Sequence, residues 1–159
     1  MKHISILLAF LVTLSAPVAA DEKAASTWDS FLAELVAISK YQEGNYFAGL
    51  EYFRPLANAG DGNAQFHLGK IYSIRGWTGK DYSMASKMFT LSAEQGNAGA
   101  QANLGFMYES GKGVLQDYKE AVRWYTLAAE QGDADAQYNL GTMYYKGNGV
   151  LQDDTMAHI

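Results

Sequence analysis

Cysteine is absent from the 159-residue sequence, proline occurs only twice, and 18% of the residues are charged. Without cysteine the chain cannot form disulfides, thiolate zinc sites or iron–sulfur centres, and it has no cysteine nucleophile or lipid-anchoring cysteine. The net charge of -5 lacks the basic footprint that nucleic-acid binding requires. Long hydrophobic runs are also missing, because Ile4–Leu14 spans 11 residues whereas roughly 20 are needed to cross a bilayer.

The first segment has the pattern of a secretory signal peptide. A short basic start, Met1–His3, precedes the apolar run, and small residues stand at Val18 and Ala20, the positions that a signal peptidase reads. We predict cleavage after Ala20. The mature chain is then expected to be periplasmic or secreted and to contain no membrane span.

The rest of the chain repeats with a period of 36 residues. The pattern Ala-Gln-x-x-Leu-Gly begins at Ala64, Ala100 and Ala136. Such self-similarity is the signature of stacked structural units, none of which can cover its own apolar face alone. We therefore divide the chain into a signal peptide (1–20), an N-terminal degenerate helical unit (21–60), two repeats (61–96 and 97–132) and an incomplete repeat (133–159).

Each repeat is predicted to form two helices, which gives an all-α, right-handed α/α solenoid with the first helices on its inner face. The first helix follows a Gly-Asp or Gly-Asn pair, in which glycine ends one helix and the polar residue caps the next. The second helix starts at Asp81, Asp117 or Asp153. Glycines inside the first helices cost about 1 kcal/mol each relative to alanine, so they predict close helix contacts. These glycines are Gly69, Gly105 and Gly141, and the small surfaces expected to face them are Ala85, Ala93, Ala121 and Ala129.

The repeat consensus is Ala-Gln-x-x-Leu-Gly-x-x-Tyr, followed by Gly-x-Gly-Val-x-x-Asp-Tyr-x-x-Ala-x-x-Trp-Tyr-x-x-Ala-Ala-x-Gln-Gly. This pattern resembles the Sel1-like repeat. Residues 100–132 match it almost fully, residues 64–96 match with Met88 in place of the tryptophan, and residues 136–159 match as far as they extend. The resemblance implies tetratricopeptide-like helical hairpins that act as protein-binding adaptors. Members outside the cytoplasm take part in signalling, envelope assembly and host contact.

The residue types of an enzyme site are sparse. His67 stands alone, because His3 leaves with the signal peptide and His158 lies next to the last residue, so no zinc site is expected. We predict no catalytic residue, no metal and no cofactor. Two carboxylates near a helix start, Asp133 and Asp135, are interpreted as a cap and a first-turn charge.

The alternative function is an envelope hydrolase of the β-lactamase or penicillin-binding type. That activity is claimed for a cysteine-rich branch of the Sel1-like family, whose hairpins are joined by disulfides. The present sequence has no cysteine, and it contains neither Ser-x-x-Lys nor Lys-Thr-Gly. The resemblance to that branch therefore fails at its defining residues.

A partner-binding groove is the remaining hypothesis. In tetratricopeptide-like folds the inner groove is lined by first-helix positions away from the Leu-Gly-Tyr stripe. Aromatic side chains and amides at those positions suit an extended peptide, although the aromatic residues Phe66, Phe106 and Tyr138 could equally pack between repeats. Those positions map to Ala102 and to the nine predicted groove residues, which are Asn63, Phe66, His67, Lys70, Asn103, Phe106, Tyr138, Asn139 and Thr142.

The last repeat stops at Ile159, seven residues into its second helix counted from Asp153. Solenoids usually need a polar capping helix at each end. The stripe formed by Leu140 and Tyr144 is therefore expected to be poorly covered. A truncated or degenerate copy, docking on a partner, and self-association through this end all remain open.

Overall fold

The computed structural model describes residues 22–74 and 81–150, and in these residues every regular element is an α-helix. The predicted signal peptide, the second helix of the third repeat and its cap Asp153 lie outside the described residues. Seven helices are described: α1 (Glu22–Gln42), α2 (Tyr46–Asn58), α3 (Gly62–Ser73), α4 (Tyr82–Glu94), α5 (Ala98–Ser110), α6 (Tyr118–Glu130) and α7 (Ala134–Lys146).

The chain divides into two compact units, Met1–Val36 and Ala37–Ile159. The first unit contributes the N-terminal part of α1, on which Phe31, Leu35 and Val36 are exposed. The second unit contains the end of α1 and the six helices from α2 to α7. The repeats and the predicted groove lie in the second unit.

Within the second unit, successive helices pack against each other from α2 to α7. Among the first helices of the repeats, α3 also contacts α5, and α5 contacts α7. The second helices α4 and α6 each pack against the first helices that precede and follow them. The prediction of an all-α solenoid of tetratricopeptide-like hairpins is confirmed.

The predicted caps explain where the helices begin. Each polar residue that follows the repeat glycine lies just before a first helix, and its side chain accepts a hydrogen bond from the amide three residues later. The glycines before them, Gly60, Gly96 and Gly132, have positive φ angles of 97°, 90° and 88°. The cap distances are 2.7 Å from Asp61 to Ala64, 2.9 Å from Asn97 to Ala100, and 2.8 Å from Asp133 to Ala136.

The glycines inside the first helices allow close contact, but their neighbours differ from the prediction. A Cβ atom on Gly69 would lie 2.7 Å from the Phe89 ring, and one on Gly105 would lie 2.7 Å from the Tyr125 ring. Aromatic rings of the second helices therefore occupy the positions at which alanines were expected. A ring fills the space left by the missing Cβ with far more apolar surface than a methyl group offers.

Tyr125 shows how this contact is completed. Its side chain is fully buried, and its hydroxyl group donates a 2.8 Å hydrogen bond to Glu109 at the end of α5. Desolvation by burial, and then the bond and the charge of Glu109, raise the pKa of Tyr125 above its usual value. The hydroxyl group stays protonated and joins the two helices of the hairpin.

Buried glutamines link one repeat to the next. The amide group of Gln65 donates to the carbonyl oxygen of Ala57 over 3.2 Å, and Gln65 in turn accepts from Gln95 over 2.8 Å. The next repeat has the same pair of bonds, because Gln101 donates to Ala93 over 3.1 Å and accepts from Gln131 over 2.7 Å. These bonds satisfy helix-end carbonyl groups that packing removes from water.

The expectation that Leu140 is poorly covered is wrong. Leu140 is only 6% exposed, because it packs with Tyr125 and Ala128 of α6 in one apolar cluster. Tyr144 is partly buried and packs against the same cluster. Self-association through this end of the chain stays a prediction.

Candidate partner-binding pocket

A pocket of about 230 Å³ lies between the first helices α5 and α7. Its residues recur at spacings of three and four, so each helix presents one face to the pocket. Four of the nine predicted groove residues are among them. The lining residues are Ala102, Asn103 and Phe106 of α5 and Asp135, Tyr138 and Asn139 of α7.

The aromatic side chains of the pocket are open to solvent. Phe106 is 45% exposed and Tyr138 is 76% exposed, so both rings can be reached by a partner. Lys112 lies over the Phe106 ring, with its Nζ atom 4.9 Å from the ring centroid. The amide group of Asn103 donates to the Gly99 carbonyl oxygen of its own helix over 2.7 Å.

Thr142 lies near the pocket residues in the sequence but does not line the pocket. Its hydroxyl group donates to the carbonyl oxygen of Tyr138 over 3.0 Å, within α7. This bond uses the hydroxyl group inside its own helix. Thr142 therefore has no described role in the pocket.

The predicted residues of α3 form a separate cluster. The Phe66 ring lies 6.2 Å from the Phe89 ring, centroid to centroid, and its tip is 3.0 Å from the place where a Cβ atom on Gly99 would stand. Lys70 places its Nζ atom 5.4 Å from the centroid of Phe66. Phe66 thus packs between two repeats, which was one of the two interpretations left open for it.

His67 packs into the apolar cluster formed by α1, α2 and α3. Its ring stacks on Phe53 with centroids 4.6 Å apart, and its Nδ1 atom is 3.1 Å from the hydroxyl oxygen of Tyr41. Desolvation lowers the pKa of His67 to about 4, and the nearby charge of Lys70 adds to this effect while Asp61 opposes it. His67 is therefore neutral near pH 7 and does not line the pocket.

Asn63 lies in a second, shallower pocket of about 310 Å³ at the start of α3 and α5. Its side-chain oxygen accepts a 3.3 Å hydrogen bond from the amide group of Asn97. The remaining lining is polar or backbone: Asp61, Gly62, Gln95 and Gly96. Asn63 is thus separated from the four predicted residues that share the α5–α7 pocket.

Asp135 is a pocket residue that the sequence did not reveal, whereas Ala102 was among the first-helix positions expected along the groove. Asp133 caps α7 as predicted, whereas Asp135 makes no capping bond and lines the pocket instead. A signal was available in the repeat register. In the preceding pair of first helices, Phe66 is equivalent to Ala102 and Gly99 is equivalent to Asp135. Compared with that pair, α5 and α7 therefore lose a large side chain at one position and gain a charge at the other.

The described residues contain no group of three or more histidine, aspartate or glutamate side chains that could hold a metal ion. None of the described helices combines the length and the apolar composition of a membrane span. The pocket therefore offers hydrogen-bonding groups, aromatic surface and one carboxylate. This set of groups is suited to binding a polypeptide segment.

Stacked helical hairpins in a 36-residue register, with a pocket between first helices, define a helical-repeat protein. The Sel1 repeat matches residues 62–97, 98–133 and 134–159, and the chain belongs to the Sel1 repeat family. Proteins of this family are generally protein-interaction modules, and their fold is typically a non-enzymatic scaffold.

The solved structures that are similar to the chain include two Sel1-type repeat proteins. One is a protective antigen present in uropathogenic Escherichia coli strains and displaying an SLR fold, with 33% identity and a TM-score of 0.73 over 86% of this chain. The chain spans only 30% of that antigen. The other is a Sel1 repeat protein from Oxalobacter formigenes, with 34% identity, a TM-score of 0.65, and coverage of 69% of this chain and 83% of that one. Among curated proteins no match was found.

Proposed function

We propose that the protein is an extracytoplasmic interaction module that holds an extended segment of a partner protein between α5 and α7. The observation that carries this proposal is the convergence of Asn103, Phe106, Tyr138 and Asn139, from two repeats, on one pocket. The location outside the cytoplasm is supported by the signal-like pattern of residues 1–20.

The side chains of the pocket suit an extended segment for a physical reason. An extended chain exposes backbone amide and carbonyl groups, and an asparagine side chain can donate to one and accept from the other. Asn139 lines the pocket, and its side chain makes no hydrogen bond to another described residue. The exposed rings of Phe106 and Tyr138 add apolar contact with little loss of side-chain entropy.

The proposal is tested by removing both amide groups. Peptides are selected from a library of random sequences displayed on phage, with the full chain as bait, and their affinities are measured by fluorescence anisotropy. We expect the double variant Asn103→Ala, Asn139→Ala to bind the selected peptides about tenfold more weakly, because two hydrogen bonds are worth about 1–2 kcal/mol. The melting temperature should stay close to that of the unmodified chain.

The matched control is Asn58→Ala, which removes an exposed asparagine at the end of α2, outside the pocket. This control should keep full affinity. If no peptide is selected, or if the double variant and the control bind equally well, the pocket is not the binding site. Edman sequencing of the protein recovered from the periplasm or the medium tests the location, with Asp21 expected as the first residue.

A further inference from the structure

The two contacts between first helices differ at equivalent positions of the repeat. In the α3–α5 contact, the Phe66 ring lies against Gly99, and the pocket of that contact lies at the helix starts, around Asn63 and Asn97. At the equivalent positions 36 residues later, Ala102 stands in place of Phe66 and Asp135 in place of Gly99. The second contact therefore has an open pocket of about 230 Å³ with a carboxylate in its wall.

The carboxylate of Asp135 has no counter-ion in the described part of the chain. It is exposed, it lies in the first turn of α7, and it forms no hydrogen bond or ion pair with another described residue. The N-terminus of a helix stabilises a negative charge placed in its first turn. No basic side chain is among the residues that line the pocket.

Both contacts have a lysine over one phenylalanine ring, but the pocket also has a second ring, Tyr138, with no cation over it in the described residues. Lys70 lies over the Phe66 ring in the first contact, and Phe106 replaces Lys70 at the equivalent position of the second. Lys112 approaches Phe106 from the following loop but does not line the pocket. In the described residues no cation lies over Tyr138, whose ring is 76% exposed. A ring and a carboxylate that share one pocket bind a cation more strongly than either does alone.

We propose that the α5–α7 pocket takes a lysine or arginine side chain of the partner segment. Asp135 supplies the counter-ion, Tyr138 supplies the ring face, and the side-chain oxygen of Asn139 accepts a hydrogen bond from the cation. This proposal rests on the proposed function, because it names the chemistry of the segment that the pocket holds. The volume supports it, since about 230 Å³ is less than the roughly 300–1,000 Å³ that encloses a drug-sized ligand and suits one long side chain. The net charge of -5 favours a basic partner.

The test uses the phage-displayed library of random peptides with the full chain and with Asp135→Asn as separate baits. We expect peptides selected on the unmodified chain to be enriched in lysine or arginine at one position, and this preference to disappear with Asp135→Asn. For one selected peptide, replacing that arginine by citrulline, or that lysine by norleucine, should weaken binding to the unmodified chain about tenfold. The same replacement should hardly change binding to Asp135→Asn.

Asp133→Asn is the matched control. It removes one negative charge two residues away on the same helix, and asparagine caps a helix as well as aspartate does. This control should keep the basic preference, which separates a specific counter-ion from the effect of total charge. Both variants are first checked for an unchanged circular dichroism spectrum.

The outcomes separate the two proposals. If the selected peptides show no preference for lysine or arginine, or if the preference persists with Asp135→Asn, the proposal of a basic side chain in the pocket is wrong. The proposal that the pocket binds a partner segment is then unaffected. If Asp133→Asn loses the preference for lysine or arginine as completely as Asp135→Asn does, the proposal of a basic side chain is also wrong, because total charge then explains the effect. If the library yields no binding peptide for any bait, the proposed function itself is contradicted, and the basic side chain that depends on it is contradicted as well.

Discussion

The α3–α5 contact and the α5–α7 contact have the same backbone register but different interiors. Phe66 packs against Gly99 in the first contact, whose pocket lies at the helix starts, and Ala102 leaves the second contact open beside Asp135. The difference shows that the glycine, glutamine and capping positions maintain the stack, while other first-helix positions can change in volume and charge. A repeat protein can thus form a structural contact and a binding pocket with one backbone.

Residues at a single position of the repeat also differ in their environment. Phe66, Ala102 and Tyr138 are separated by 36 residues each, yet Phe66 is packed between repeats, Ala102 is 9% exposed and Tyr138 is 76% exposed. The environments of Phe66 and Ala102 differ because Phe66 faces Gly99 and Ala102 faces Asp135 on the following first helix. The described residues include no first helix after α7 that could face Tyr138 in the same way.

The largest effect is expected from truncating the two aromatic residues that share this register. Phe66→Ala should lower the free energy of unfolding by about 2 kcal/mol, because a partly buried ring is lost and a cavity forms against Gly99. Tyr138→Ala should change it by less than about 0.5 kcal/mol, because the ring is mostly in water. Urea denaturation followed by circular dichroism measures both. Equal losses would mean that Tyr138 also serves to pack the repeats.

A smaller effect is expected from converting the pocket into the packed contact. The double variant Ala102→Phe, Asp135→Gly copies the pair formed by Phe66 and Gly99, so the new ring should fill the pocket. Affinity for a selected peptide should fall about tenfold or more, or about 1.4 kcal/mol, without loss of stability. Anisotropy and urea denaturation measure the two quantities. Undiminished affinity would place the peptide elsewhere on the protein.

The smallest effect is expected from pH and concerns only the α3 cluster. The pKa of His67 is lowered to about 4 in the folded state from the ordinary 6.5, so the unfolded chain binds its proton more readily. The stabilising contribution of neutral His67 is complete above pH 6.5 and is lost as the pH falls towards 4. After allowance for the partly exposed ring and for salt, this loss is about 1 kcal/mol.

His67→Asn is the comparison for that pH effect, because Asn103 and Asn139 occupy the same position of the other repeats. The variant loses the stacking on Phe53 at every pH, so the quantity to compare is the change in unfolding free energy between pH 7 and pH 4. This change should be smaller in His67→Asn. An identical change in both proteins would show that carboxylates alone cause the acid sensitivity.

Local sequence signals predicted most of the fold. The glycine and cap pairs located the starts of α3, α5 and α7, and Asp81 and Asp117 located those of α4 and α6. Caps are found readily because a polar side chain and a helix amide three residues later interact within one short segment. The neighbours predicted for Gly69 and Gly105 were wrong. A periodic pattern does not show which side chain of the facing helix enters the space beside a glycine.

The candidate site was predictable only in part. Asn103, Phe106, Tyr138 and Asn139 were found by their position on the first helices, and they do line one pocket. His67 was predicted for the groove, but its ring is stacked on Phe53, which lies on a different helix. Asp135 was interpreted as a first-turn charge, since its neighbours in the chain did not show what lies across from it on α5.

The sequence by itself determined the period of 36 residues, the helix starts and the Sel1 repeat register, because these depend on local capping and on periodic burial. Only the tertiary structure decided which first-helix side chains close a contact and which leave it open. Such packing joins residues about one repeat apart in the chain, such as Phe66 with Gly99 and Ala102 with Asp135. Whether a cavity forms depends on the summed volume of both partners, which neither residue specifies alone.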